Sequence, residues 1–461
     1  MRGRAMPYNL LQSRNLPLLP RSFAMRFFRC LLSVLLIGGF AVLAGCAVNP
    51  VTGKQELSLV SVSTPQEIAL GEKAFPQAVQ EMGGEYPDPQ LSAYVNRVGE
   101  RLGRLSHRPD LPYRFAVVND SSPNAFALPG GFIAISRGLL SNLENEAQLA
   151  SVLGHEVGHV TARHSVQGLQ RGTLFNVGLA VLSGVAGNTA YGPLAQQAGE
   201  LTAGLLENSY SRGQERESDQ LGIDYMVQAG YNPLGAVQVQ EYFYRQLEGG
   251  AEPMWLTGLF RTHPFSKDRM LDNQDYIRSA YPQALTQERY SLLRQPFESA
   301  TARLRQAKGG YEIYDQARRL EQEGDLNKAI ATYLQAAAAA PDESLILTGL
   351  GLAYLKADDL NSARIHLSRA VQLGGKYYQS RLGLGYVLLQ RGQAAQAVRE
   401  LESSMQLLPT MQGAFFLAQA YEKEGQVQKA LELYRAVAQA DPRGEMGQAA
   451  AERSRALEGG R

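Results

Sequence analysis

Four alanines set a period near the C-terminal end of this 461-residue chain: Ala329, Ala363, Ala397 and Ala430, separated by 34, 34 and 33 residues. Other landmarks recur with them. Gly324, Gly392 and Gly425 fall where an inter-helix turn is expected, Gly351 and Gly385 fall in first helices, and Pro341, Pro409 and Pro442 close units. A repeat of this length constrains the fold more than any other feature. One such unit cannot bury its apolar face alone, so neighbours must stack. Four units suffice, and stacked helix pairs predict a curved solenoid. The second unit is atypical: Asp358 replaces the turn glycine, and Gly374-Gly375 stands where proline would close it.

The period and residue pattern resemble the tetratricopeptide repeat, whose concave face usually holds an extended peptide or a partner protein. The rest of the chain is long enough for a second core and a targeting segment. Apolar residues make up 44% and charged residues 19%, the balance of a globular protein. With 45 basic and 44 acidic side chains, and no dense basic run, the chain lacks the phosphate-neutralising excess that nucleic-acid binding requires.

Near the N-terminus, Arg26 and Arg29 precede an apolar run from Cys30 to Ala44 that ends in Leu43-Ala44-Gly45-Cys46. This resembles a bacterial lipoprotein signal, with Met25 a candidate start. The resemblance implies cleavage before Cys46 and a lipid on its thiol. At about 15 residues the run is short of the roughly 20 needed to span a bilayer. Losing Cys30 and acylating Cys46 would leave no disulfide in the mature chain. Ala47, with no Asp in that place, points to the outer membrane.

Asn49 to Lys54 reads as a turn-rich tether, and a helix is predicted from Thr64-Pro65. Tyr113 to Val118 and Gly131 to Ser136 are strand-like and flank Asn124-Ala125-Phe126-Ala127 between turn signals, so a small sheet is expected. Asn145 to His164 carries apolar residues at helical spacing. Gly172 to Leu206, apolar but broken by glycine, reads as a lid or amphipathic hairpin, and Thr301 to Gly310 as a linker.

The predicted helix contains His155-Glu156-Val157-Gly158-His159. Residues four apart share a helix face, so two imidazoles can reach one cation while Glu156 lies near its water. Histidines that only satisfy buried hydrogen bonds are the alternative. Downstream, Glu215 and Asp219 stand four apart, so one carboxylate could bind metal while the other orients a ligating imidazole. Glu217 competes with Glu215 for the first role. A solvated charged helix is the plainer reading of this stretch, against which Leu221, Gly222, Tyr225 and Met226 suggest a buried face.

The His-Glu-x-x-His helix with its trailing Val160-Thr161-Ala162-Arg163-His164, the string from Ser211 to Asp219, and Asn124 to Ala127 resemble the HtpX and CAAX-prenyl-protease family of zinc peptidases. With signal and repeats added, residues 46 to 461 resemble the bacterial β-barrel assembly-enhancing proteases in particular. The resemblance implies one Zn2+ held by His155, His159 and Glu215, with Glu156 as general base and Asp219 orienting a ligand. Ser218 departs from the commoner alanine before the aspartate. The resemblance also implies an edge strand at Asn124, Ala125, Phe126 and Ala127 that pairs with substrate. Thr262 to Arg269 matches a segment in which His263 can take a fourth zinc position and hold the enzyme latent, with Arg269 shaping the site. His164 is expected to be structural or to sit behind a ligand, while His107 and His366 read as surface or packing residues.

The expected fold class is therefore α+β and predominantly helical. Residues 1–45 are read as signal, 46–63 as a lipidated tether, 64–300 as a zinc metalloprotease domain with a small sheet, 309–446 as an all-α solenoid of four repeats, and 447–461 as a tail. The implied role is quality control of envelope proteins at the periplasmic side of the outer membrane. The repeats would dock protein substrates, outer-membrane β-barrels or their assembly machinery. A chaperone or adaptor with a latent zinc site is the competing reading. A purely structural zinc site is disfavoured, since His, His and Glu leave a position open.

Overall fold

The helical period and the short strands resolve into the layers expected, in a computed structural model. It describes residues 46–48, 51, 53, 55–57, 62–171, 209–248, 262–263 and 266–459. The expected signal, and the lid expected over Gly172 to Leu206, lie outside these residues.

Two three-residue strands, β1 (Cys46–Val48) and β2 (Gln55–Leu57), pair antiparallel within the segment read as a tether. They belong to a unit ending at Val60 and are described by themselves.

From Ser61 the chain forms one unit. It opens with α1 (Thr64–Glu81) and α2 (Pro89–Arg104). Ser63 rather than Thr64 precedes the first turn of α1, and its backbone N–H donates to Gln66 Oε1 at 2.8 Å. Asp88 caps α2 by accepting from the backbone of Gln90 and Leu91. The sheet follows as β3 (Arg114–Val118), β4 (Ala125–Leu128) and β5 (Phe132–Ser136) in the order β3-β5-β4. β5 is central, parallel to β3 and antiparallel to β4, which is an edge. Alternation divides the strands between two cores. Ala116, Val118, Phe126, Leu128, Phe132 and Ala134 pack with Leu70, Phe75 and Val79 of α1. Phe115, Val117, Ala125, Ala127, Ile133 and Ile135 join the opposite core.

That second core receives α3 (Arg137–Leu140), α4 (Glu146–Thr161), α6 (Arg212–Gln228), α7 (Leu234–Glu248) and α8 (Lys267–Ala280), while α5 (His164–Arg171) continues from α4. Asn145 caps α4 by accepting from Gln148 N. The helix predicted to reach His164 stops at Thr161, because Arg163 turns left-handed at φ 60° before α5 begins.

A short α9 (Arg294–Ala300) leads to four antiparallel pairs: α10 (Ala302–Gln322) with α11 (Leu326–Ala339), α12 (Ser344–Lys356) with α13 (Leu360–Gly374), α14 (Tyr378–Gln390) with α15 (Ala394–Leu407), and α16 (Met411–Lys423) with α17 (Val427–Ala440). Ala329, Ala363, Ala397 and Ala430 are each 0% exposed, so the period marks a fully buried position on the second helix of each pair. Gly324, Gly392 and Gly425 hold φ of 87°, 74° and 73° at the inter-helix turn, and Asp358 adopts 59° in the equivalent place.

Two expectations need correction. Thr301 to Gly310 is not a linker but the first turns of α10, where Gly310 lets the Ala340 methyl approach its backbone. Residues 447–459 are not a tail but most of α18 (Glu445–Gly459), which buries Gly447, Ala450 and Ser454 and covers the last pair as a terminal cap.

The layers around the small sheet and the first repeats share a continuous core that includes Tyr86, Leu139, Tyr311, Leu345 and Ile346. Buried Glu343 accepts from the hydroxyls of Tyr86 at 3.2 Å and Tyr311 at 2.7 Å. Among the described residues no helix is long and apolar enough to cross a membrane.

Candidate metal centre

The donors converge because α4 and α6 approach closely. A Cβ on Gly222 would lie 2.8 Å from His155 N, and one on Gly158 would lie 2.7 Å from Ser218 Oγ. Only hydrogen in place of a side chain permits this contact. Ser218, the departure from the family pattern, is fully buried and donates from Oγ to the carbonyl of His155 at 2.6 Å. Serine thus adds a bond between helices where alanine would add none.

One turn apart on α4, His155 and His159 bring their Nε2 atoms to 3.0 Å. From α6, Glu215 places Oε1 3.2 Å from His159 Nε2 and Oε2 3.6 Å from His155 Nε2. His263, ahead of α8, sets Nδ1 3.3 Å from His155 Nε2 and 3.1 Å from Glu215 Oε1. One donor atom from each of the four lies within 4.8 Å of all the others. Metal–donor bonds of about 2.0–2.1 Å in a tetrahedral site place neighbouring donors about 3.3 Å apart, and the observed separations bracket that value.

Asp219 stands behind the cluster, its Oδ1 2.9 Å from His155 Nδ1. Arg269, near the start of α8, donates to Glu215 Oε2 at 2.6 Å and to both oxygens of Asp219 at 2.8 and 2.9 Å. Glu156 sets Oε1 3.7 Å from His263 Nε2, while its buried Oε2 has no hydrogen-bond partner among the described residues. Two buried carboxylates, Glu215 and Asp219, therefore share one guanidinium, with Glu156 buried close by. The donor types and their spacing fit a divalent metal ion.

Burial alone would raise Glu215, but His263, His159 and His155 outweigh it and hold its carboxyl well below the usual range. Asp219 is likewise lowered, with Arg269 and His155 overcoming burial. His159 is driven well below the ordinary imidazole range by burial, which keeps it neutral as a ligand must be. Glu156 is pushed up by burial, only partly offset by His263 and His155. For His263, the carboxylates of Glu215 and Glu156 outweigh burial and raise it.

The sequence left Glu215 and Glu217 competing; the structure brings Glu215 to the donors and turns Glu217 elsewhere. Glu217 Oε2 lies 3.1 Å from His164 Nε2, and His164 Nδ1 lies 2.9 Å from His159 Nδ1. His164 thus sits behind a ligand, as expected, while its link to Glu217 had no sign in the sequence. Sequence reasoning missed Tyr210, whose ring stacks on His159 with centroids 3.8 Å apart. Asn124 immediately precedes the edge strand that holds Ala125, Phe126 and Ala127, and its buried Oδ1 lacks a partner among the described residues. Cys46 begins β1 opposite Leu57. His107 bonds the Tyr225 hydroxyl through Nδ1 at 2.7 Å, and His366 stacks on Tyr354.

A His-Glu-x-x-His helix crossed by a glutamate helix defines the metal-dependent peptidases as a class. The chain belongs to peptidase family M48: residues 89–275 match Peptidase family M48, and residues 314–378 and 382–445 match the tetratricopeptide repeat. It is 29% identical over 236 residues to the beta-barrel assembly-enhancing protease of Escherichia coli, covering 48% of this chain and 46% of that one. A putative beta-barrel assembly-enhancing protease of Vibrio cholerae is 28% identical over 229 residues, covering 48% and 46%. The mitochondrial metalloendopeptidase OMA1 of Schizosaccharomyces pombe is 30% identical over 248 residues, covering 52% and 69%. The chain spans about half the length of the bacterial relatives.

Proposed function

We propose that this chain is a zinc-dependent endopeptidase of the bacterial cell envelope that acts in protein quality control. The observation that carries the reading is the meeting of His155, His159 and Glu215 beside Glu156, whose Oε2 is buried and unpartnered. Those three side chains would hold Zn2+, which when bound supplies Lewis acidity toward water and the scissile carbonyl. Glu156 accepts the proton of the attacking water at Oε2 and delivers it to the departing amine. Asp219 fixes the ring of His155, and Arg269 fixes the carboxylates of Glu215 and Asp219. The side of β4 that no strand pairs among the described residues, with Asn124 at its start, would hold substrate backbone in extended form, a mode that tolerates many sequences.

His263 completes the donor set and acts as a latch in this reading, so cleavage requires its withdrawal. Residues 64–300 form the peptidase part and 309–446 the four repeats, which dock protein clients such as outer-membrane β-barrels or their assembly machinery. Residues 1–45 direct export, and Cys46 carries the lipid that ties the chain to the periplasmic face of the outer membrane. The names of the bacterial relatives support this setting. A second reading, a repeat-based chaperone or adaptor whose zinc site stays latent, is favoured by the position of His263 alone.

The test is cleavage of unfolded protein substrates by the zinc-loaded chain, its Glu156→Gln form and its His263→Ala form. We expect Glu156→Gln to abolish cleavage and His263→Ala to increase it. Cleavage insensitive to Glu156→Gln would overturn the mechanism. Unchanged rates and unchanged metal coordination in His263→Ala would remove the latch. Cellular phenotypes untouched by Glu156→Gln would favour the chaperone reading.

A further inference from the structure

The register of β4 on β5 fixes where each backbone group of the edge strand points. Ser136 N donates to Asn124 O at 2.8 Å, so Asn124 faces β5, and by alternation Phe126 and Leu128 face it too. Ala125 and Ala127 therefore turn their N–H and C=O to the other side, which no strand pairs among the described residues. β4 ends at Leu128, so these two residues are the whole of its outer ladder. Of the two, Ala127 is already engaged. Ser165, the second residue of α5, donates from Oγ to the Ala127 carbonyl at 3.1 Å. That separation puts the hydroxyl about where the nitrogen of a pairing strand would stand, roughly 2.9 Å from the oxygen. A serine hydroxyl has one hydrogen, here given to the carbonyl, so the Tyr210 hydroxyl 3.1 Å away donates to Ser165 Oγ. Tyr210 is held in turn by its stack on His159 and by its own N–H, which donates to Thr262 O at 3.1 Å.

We propose that Ser165 is a positioning residue that decides which substrate amides the edge strand reads: by holding the Ala127 carbonyl, it leaves one substrate N–H without an acceptor, two residues from the N–H that meets the Ala125 carbonyl. The assignment rests on the peptidase reading with β4 as its substrate edge, and adds a sequence preference to it. A strand laid on β4 presents N–H groups two residues apart to Ala125 O and Ala127 O, whichever way it runs. The first forms its bond and the second does not. The Ala127 N–H still donates, so at that end the substrate is held through its own carbonyl alone. Proline has no N–H, and is therefore accepted at the second position and refused at the first.

The experiment uses the zinc-loaded full chain, both unaltered and with His263→Ala, and a synthetic peptide spanning one bond that the chain cuts in an unfolded protein. Each backbone amide except the scissile one is replaced in turn by an ester, which removes a single N–H. One hydrogen bond lost on the Ala125 carbonyl should lower kcat/KM about fivefold, and the ester two residues away should change it less than about twofold. Ser165→Ala frees the Ala127 carbonyl and should add a second loss of about fivefold, two residues from the first and nowhere else. Ser165→Thr keeps the hydroxyl and should restore the original profile. A merely structural role for Ser165 would slow every peptide alike. Should Ser165→Ala not fold, as thermal unfolding would reveal, Ser165→Cys takes its place, since a thiol is a weak donor. Absence of cleavage in both backgrounds overturns the peptidase reading and this assignment with it. Cleavage with an ester profile that neither Ser165→Ala nor Ser165→Cys alters overturns the role of Ser165 alone.

Discussion

His164 and His159 face each other Nδ1 to Nδ1 at 2.9 Å, although a left-handed residue separates their helices. Proton accounting fixes the roles. If His159 binds metal through Nε2, its Nδ1 carries hydrogen and donates to His164 Nδ1, so His164 carries its own hydrogen on Nε2 and donates to Glu217 Oε2 at 3.1 Å. This chain mirrors the Asp219 contact on His155. His164→Ala is expected to weaken zinc binding by about 10–100-fold, with Glu217→Gln giving a smaller loss. Competition against a chromophoric chelator measures both; unchanged affinity in His164→Ala would show that the contact does not orient His159.

Gly222 has no room for a methyl group. Its Cβ would meet backbone atoms of His155 and Gly154 at 2.8 and 2.9 Å, and neither can swing aside as a side-chain tip could. Gly222→Ala should push α6 from α4, lowering stability by about 1–3 kcal/mol and weakening zinc binding together. Denaturant unfolding with parallel zinc titration tests this, and the two effects should appear in the same variant.

Arg269 is the one guanidinium bonded to both Glu215 and Asp219 among the described contacts. Arg269→Ala would leave Glu215 and Asp219 buried without it, a loss of about 3–5 kcal/mol in the metal-free chain. Arg269→Lys should recover little, since an ammonium cannot span both acids as the planar fork does. Saturating zinc should reduce the penalty, because the ion supplies compensating charge; equal losses with and without zinc would contradict this account.

Asp358 sits in the left-handed position that three other repeats give to glycine. Asp358→Gly should stabilise the chain by about 0.5–1 kcal/mol, read as a rise in thermal midpoint. Gly392→Asp, at an equivalent turn, should lower it.

Much of this was legible before any coordinates. The 34-residue period carried the solenoid because every unit buries the same position, as Ala329, Ala363, Ala397 and Ala430 make plain. The pairing of Glu215 with Asp219 followed from helical geometry. The choice between Glu215 and Glu217 did not, because either acid could serve until the partner of Glu217, His164, was placed. Linker and tail were misread for one reason: polar residues around Thr301 and after Gly447 look solvated in sequence, while burial is set by what packs on them.

The hydroxyls of Tyr86 and Tyr311 on the single carboxylate of Glu343 make the molecule hard to divide. A fragment cut near residue 300 would expose Tyr86 and its apolar neighbours to water, and the complementary fragment would strand a buried acid. Truncation would therefore wound both pieces, because the seam runs through one continuous core.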